Sequence, residues 1–242
     1  MADAQEYVAP LRGALVPVPA VPQDGICALC HSSASPGYSV CRQCSDAAFF
    51  TPPEILPITM SVHGGLIHHS LRYYKDSSDA EVRERLTMRL GALLAIFMNN
   101  HSGCVGEWDV ATCVPSAQRV AMEPIVQKLA RFENRYERLL VGKPVAGERK
   151  VDPAQFDVVG SVKGRRVLLL EDTFASGSKL ISAAAALRSK GATVVGPVAL
   201  GRHVNAGWPP SEAMLAWLGQ REWKDDRCCR CAGERREEQA LF

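Results

Sequence analysis

The segment VLLLEDTFASGSKL, residues 167–180, carries two adjacent carboxylates, then a run of small residues, then the start of an Ala-rich helical stretch. Each part has a chemical use. An open parallel sheet binds ligands beyond the carboxyl ends of its strands, and an apolar run ending in Glu171 and Asp172 puts both acids there. Ala175, Ser176, Gly177 and Ser178 have little or no side chain, so backbone N–H groups can close around a phosphate. A helix beginning near Ser178 aims its N-terminal N–H groups and positive dipole end at the same point. Two acids beside an anion site repel the ligand unless they hydrogen-bond its vicinal hydroxyls or hold Mg²⁺ through water. A phosphorylated ribose meets both demands, with its 5′-phosphate in the loop and its hydroxyls on the acids. The plainer reading is a strand–turn–helix whose acids cap and solvate it.

A second constellation is Cys27-x-x-Cys30 and Cys41-x-x-Cys44, two CxxC pairs separated by ten residues. Each pair supplies two thiolates from one tight turn, and four thiolates complete a closed tetrahedral Zn²⁺ site. So small a segment buries too little apolar surface to fold alone, so the metal would supply its folding free energy. Full coordination leaves no open position, which makes the metal structural. Beside Cys30, His31 can replace one ligand but reads as solvent-facing. Cys228, Cys229 and Cys231 leave three readings open: a ligand given to the first cluster, a second ion held with another residue, or bystanders in a charged tail. His68 and His69 read as surface residues.

The elements that position these groups follow from periodicity. Residues 1–24 show neither helical nor alternating period and read as a loosely ordered arm, and TPPEILP (51–57) as a proline-marked link. Between Asp79 and Met98 apolar residues recur at helical spacing, with Ser78 as N-cap and Glu81 closing a capping box. WDVATCVP (108–115) reads as a buried strand and 116–132 as a helix that Pro124 kinks or restarts. Residues 134–163 read as an irregular excursion, a candidate hood. RRVLLLED (165–172) and TVVGPVALG (193–201) read as buried strands around a helix at 180–190, with Gly191 as its stop. Apolar strands alternating with helices argue for an α/β fold with a parallel sheet covered on both faces.

Composition adds bounds. Of 242 residues, 47% are hydrophobic and 22% charged, which fits one α/β domain with a small appendage. A net charge of +2, without a dense basic stripe, disfavours a nucleic-acid binder. The start lacks a basic-then-apolar leader, and the longest apolar stretch is far short of the roughly 20 residues that span a bilayer. A reducing, cytoplasmic setting is expected, in which nine cysteines are thiols or thiolate ligands.

At Glu171-Asp172 and Ala175–Lys179 the chain resembles the phosphoribosyl-diphosphate motif of type I phosphoribosyltransferases, which usually have Thr where this chain has Lys179. A four-cysteine module ahead of such a domain resembles the ComF family, from Cys27 to about Asn205. LIHHSLRYYKD (66–76) and ATCVPSAQR (111–119) add to the likeness. The resemblance implies a type I phosphoribosyltransferase-like parallel-sheet domain over 58–220. Residues 1–57 would hold an arm, a zinc-ribbon-like module and a linker, and 221–242 a charged tail. It implies binding of phosphoribosyl diphosphate with Mg²⁺, transfer of phosphoribosyl to a nitrogen nucleophile and release of diphosphate. Glu171 and Asp172 would hold the ribose. Thr173, Ala175, Ser176, Gly177, Ser178 and Lys179 would hold the 5′-phosphate, and Arg72, Lys75 and Arg119 the diphosphate. Arg119 reads equally as a solvated helix-surface arginine. Arg202 is a candidate for contacting ligand or the acidic pair, His203 a weaker one, and Phe156 reads as core. The other reading is a non-catalytic module that binds a ribose phosphate or single-stranded nucleic acid, with a protein partner on the zinc module.

Overall fold

The computed structural model describes residues 3–116, 121–144 and 150–231. Its centre is a four-stranded, all-parallel sheet of β1 (Leu56–Val62), β2 (Val110–Cys113), β5 (Arg166–Phe174) and β6 (Thr193–Val204), in the order β1-β6-β5-β2. The register of the inner pair sets Glu171 opposite Ala199 and Phe174 opposite Arg202. Two further strands, β3 (Leu140–Gly142) and β4 (Phe156–Val158), form a separate antiparallel pair.

β5 shows why the sheet is covered on both sides. Val167, Leu168, Leu169 and Leu170 have no exposed surface. Leu168 and Leu170 pack in a core with α3 (Leu66–Asp76) and α4 (Ala80–Asn100), whereas Val167 and Leu169 pack with α7 (Ser178–Ser189). Side chains alternate along a strand, so a fully buried strand must meet an apolar layer on each face. Continuing the alternation sends Asp172 towards α3 and Glu171 towards the opposite face, and the hydrogen bonds of Asp172 to Tyr74 and Lys75 bear out the first.

Several expectations change. The loosely ordered arm is α1 (Ala4–Val8) and a 3₁₀ turn (Ala9–Ala14), whose Val8 and Leu11 are fully buried in the core with α4. The link 51–57 runs into β1, with Pro57 inside the strand. β1 is an edge strand, where a residue without an N–H is tolerated. Asp79, not Ser78, caps α4, accepting from the N–H groups of Glu81 and Val82 at 2.8 and 3.3 Å. The 116–132 helix shrinks, among its described residues, to α6 (Glu123–Val126) and a 3₁₀ turn at Ala130–Phe132, with Pro124 in the first turn of α6. The excursion carries the β3–β4 pair, and the Asp152 N–H donates to Ser182 Oγ of α7 at 2.8 Å. Two short helices, α2 (Arg42–Asp46) and α5 (Ser102–Val105), and a C-terminal α8 (Pro209–Gly219) complete the chain. Phe156 is core, as read. No helix among the described residues is long and apolar enough to cross a membrane.

Candidate functional site

The two acids lie near the carboxyl end of β5, beside a cavity of about 440 Å³ lined by Lys75, Val114, Pro115, Ser116, Ala121, Met122, Glu171, Asp172 and Lys179. The cavity lies at the carboxyl ends of the adjacent strands β2 and β5, where an open parallel sheet takes its ligands. Asp172 faces α3. Its Oδ2 accepts from Tyr74 Oη at 2.6 Å and from Lys75 Nζ at 2.5 Å. Both donors come from one helical turn, so α3 holds that carboxylate in a fixed position.

Glu171 is different. It is 9% exposed, and its Oε2 is buried with no hydrogen-bond partner. Burial and the neighbouring Asp172 charge push its carboxyl up to about 8, against the pull of Lys179, Lys75 and Arg202. When unfolded it ionises near pH 4.5, so between about 4.5 and 8 the folded protein holds the extra proton and stability falls as pH rises. Glu171→Gln removes this slope. Urea unfolding across pH 5–9 is expected to show the variant more stable than the parent above pH 8, by about 2–4 kcal/mol.

After β5 the chain turns through Ala175 and Ser176 to Gly177, which precedes the first residue of α7 with φ +79°. A Cβ there would lie 2.2 Å from the Phe174 ring, so both the backbone and the close approach require glycine. The loop is tied internally, with Ser176 Oγ 3.1 Å from Ser178 Oγ. Gly177→Ala is expected to lower stability in urea by about 2–4 kcal/mol, through a left-handed backbone strain and a clash. Unchanged stability would mean that the turn has another conformation.

The four cysteines come together as the spacing implied. Their sulfurs lie within 4.8 Å of one another and all four residues are buried. Cys30 Sγ and Cys41 Sγ are 3.7 Å apart, near the edge of a tetrahedral thiolate site. His31 is not solvent-facing but fully buried, its ring nitrogens 2.8 Å from the Pro19 carbonyl and 3.1 Å from that of Ile55. Those carbonyls take the ring out of the ligand set and fasten the module to the start of β1.

Arg202 joins the module to the loop. Only 3% exposed, it donates through Nε to the Cys30 carbonyl at 3.0 Å. Nη1 donates to the carbonyls of Phe174, Ala175 and His203 at 3.1, 2.8 and 2.7 Å. It is a positioning residue here, since its hydrogen bonds go to backbone carbonyls and the Cys30 sulfur and not to the acidic pair. Of the remaining sequence candidates, Lys179 lines the cavity, while Thr173 and Ala175–Ser178 border the turn outside its lining. Arg72 is exposed, with its guanidinium 5.8 Å from the Tyr73 ring, and is not among the residues that line the cavity. Arg119 lies outside the described residues. His68 is not isolated: one ring nitrogen each from His63, His68 and His203 lie within 4.8 Å of one another. Tyr74 was missed, although its place beside Lys75 on a helix was readable.

No model of a known family matches this chain, and no curated protein matches it. Solved structures similar to it include two of the orotate phosphoribosyltransferase of Mycobacterium tuberculosis H37Rv. The one in complex with inorganic phosphate has 23% identity and a TM-score of 0.33, over 55% of this chain and 66% of that one. The one in complex with 5-phospho-alpha-D-ribosyl 1-diphosphate has 21% identity and a TM-score of 0.36, over 62% and 81%. A phosphoribosyltransferase from Corynebacterium diphtheriae has 21% identity and a TM-score of 0.34, over 62% and 89%.

Proposed function

We propose that this chain binds 5-phosphoribosyl 1-diphosphate with Mg²⁺ and transfers the phosphoribosyl group to a nitrogen nucleophile, releasing diphosphate. The observation that carries this reading is the sequence Glu171-Asp172, turn, Gly177, α7 in one continuous stretch at the rim of a cavity. The loop and the first turn of α7 would take the 5′-phosphate on backbone N–H groups. Glu171 and Asp172 would take the ribose hydroxyls, and the orphan Glu171 Oε2 is an acceptor that the folded chain leaves unused. Asp172, joined by Glu171 once it gives up its proton to the incoming cation, fits Mg²⁺ through water, and the ion would screen the diphosphate charge. The chain's own work is positioning the sugar and stabilising the leaving charge, since the transition state of such a transfer is oxocarbenium-like. Lys75, Lys179, Arg72 and Arg119 are the candidate cations for the diphosphate. The four-cysteine module is proposed as a structural Zn²⁺ site, in the organisation that the ComF resemblance implies.

A second reading, ribose-phosphate binding without transfer, is favoured by one observation: Lys75 already sits 2.5 Å from Asp172, supplying the charge that Mg²⁺ would otherwise bring. Calorimetry with phosphoribosyl diphosphate, with and without Mg²⁺, separates the two when joined to phosphorus NMR with a panel of nitrogen bases. Mg²⁺-dependent binding and base-dependent diphosphate release support transfer. Binding in chelator without release supports the binding module. Absence of binding in both conditions overturns both readings.

A further inference from the structure

We propose that His101, Cys104, Cys228 and Cys231 form a second closed zinc site, separate from the four-cysteine module, which fastens the C-terminal segment to the end of α4. The four residues come from two places far apart in sequence. His101 ends α4, Cys104 lies in α5 three residues on, and Cys228 and Cys231 arrive in a CxxC turn about 125 residues later. Their ligand atoms nevertheless lie within 4.8 Å of one another.

The spacing is that of a metal site. Zn–S bonds of about 2.3 Å and Zn–N bonds of about 2.0–2.1 Å put tetrahedral ligand atoms about 3.5–3.8 Å apart. Cys228 Sγ and Cys231 Sγ are 3.5 Å apart, and Cys231 Sγ is 3.7 Å from His101 Nδ1. The histidine is also in the required tautomer. Its Nε2 lies 3.0 Å from the carbonyl of Asp225, which can only accept, so the proton sits on Nε2 and the Nδ1 lone pair faces the sulfurs. A backbone carbonyl on the far nitrogen is the usual orienting partner of a metal-bound histidine. The same carbonyl accepts from Asn100 Nδ2 at 3.0 Å, which fixes its position. Cys231 Sγ further accepts from the Cys228 N–H at 3.2 Å, as a thiolate ligand does.

The unusual CCxC spacing is explained by division of labour. Cys229 is fully buried in the apolar core and takes no part, whereas its two flanking cysteines turn to the histidine. Arg230, between them, pairs with Glu54 through Nη2 at 2.8 Å and donates to the Cys104 carbonyl. Three thiolates on Zn²⁺ leave one negative charge, and this guanidinium lies beside it. A Cys228–Cys231 disulfide would be the competing use of the pair. It would leave Cys104 and the oriented lone pair of His101 without a role.

Metal analysis of the full chain, purified without added metal or chelator, is expected to find two zinc ions per chain. Cys228→Ser/Cys231→Ser and Cys27→Ser/Cys30→Ser should each lower that to one. X-ray absorption at the zinc edge should give a mean of about 3.5 sulfur and 0.5 nitrogen ligands in the parent, and sulfur alone once the C-terminal pair is removed. Because the double serine variant can fail to fold, His101→Gln supplies an independent measurement. It should release one of the two ions to a chromophoric chelator at least 10-fold more readily than the parent does. A parent chain holding only one zinc, or a Cys228→Ser/Cys231→Ser variant that still holds two, would overturn the site. So would unchanged chelator competition in His101→Gln, or a parent mass showing the Cys228–Cys231 disulfide.

Discussion

Asp172→Asn is expected to abolish measurable calorimetric binding of phosphoribosyl diphosphate with Mg²⁺, while the variant remains folded. The carboxylate is the acid that the fold holds most firmly, between Tyr74 and Lys75 on α3. A sugar hydroxyl bonded to an ionised carboxylate is worth about 1.5–3 kcal/mol, so losing the charge alone weakens binding by about 10–150-fold. Losing the anion beside the Mg²⁺ position adds to this. The fold should tolerate the change, because the amide oxygen still accepts from Tyr74 and the site is partly open to water. Lys75 would lose an ion pair that is 23% and 14% exposed on its two sides, but its ammonium can still donate to the amide oxygen and reach water. Undiminished binding in the variant would remove the acidic pair from the ligand, and the transferase reading with it. Loss of binding with an unchanged unfolding midpoint would place the sugar on β5.

How much of this was legible in the chain depends on the range of the interactions. The β5–turn–α7 unit is written in fourteen consecutive residues, so the acids, the glycine turn and the helix start were all readable from local chemistry. The four cysteines were readable for the same reason, because each CxxC is a single turn. β1 was hidden by Pro57, which signals a break in most strands and is accommodated here by an edge position. The N-terminal arm was hidden because its order comes from packing Val8 and Leu11 against α4, which has no local periodic signature. His31 was misplaced because two backbone carbonyls from distant segments satisfy its ring. His101 and Cys104 could not be joined to Cys228 and Cys231 by any spacing rule, since the closure is purely tertiary. Arg202 was read as a ligand-contacting group from its position at a strand end. The neighbouring register with Phe174 instead turns its guanidinium onto backbone carbonyls.

That arginine gives the second large effect. Arg202→Gln is expected to lower stability by about 3–5 kcal/mol, because one buried guanidinium serves carbonyls from β5, β6 and the cysteine module, and the shorter amide cannot reach them all. Its consequences should appear at two places at once. A Zn²⁺ bound by four thiolates carries two net negative charges, and Arg202 Nη2 lies 3.9 Å from Cys30 Sγ, so the variant should surrender its N-terminal zinc to a chelator faster. The Ala175 carbonyl that Arg202 holds belongs to the turn proposed to take the phosphate, so on that reading affinity for the ribose phosphate should fall about 10-fold, although the arginine bonds only to protein atoms. Arg202→Lys separates the two effects. It retains the charge near Cys30 but loses the planar fork, so zinc retention should recover more than ligand affinity. If both variants keep zinc and ligand at parental strength, the cysteine module and the turn are independent of each other. If Gln loses both and Lys restores mainly the zinc, the planar guanidinium, and not the metal of the module, holds the turn proposed for the phosphate.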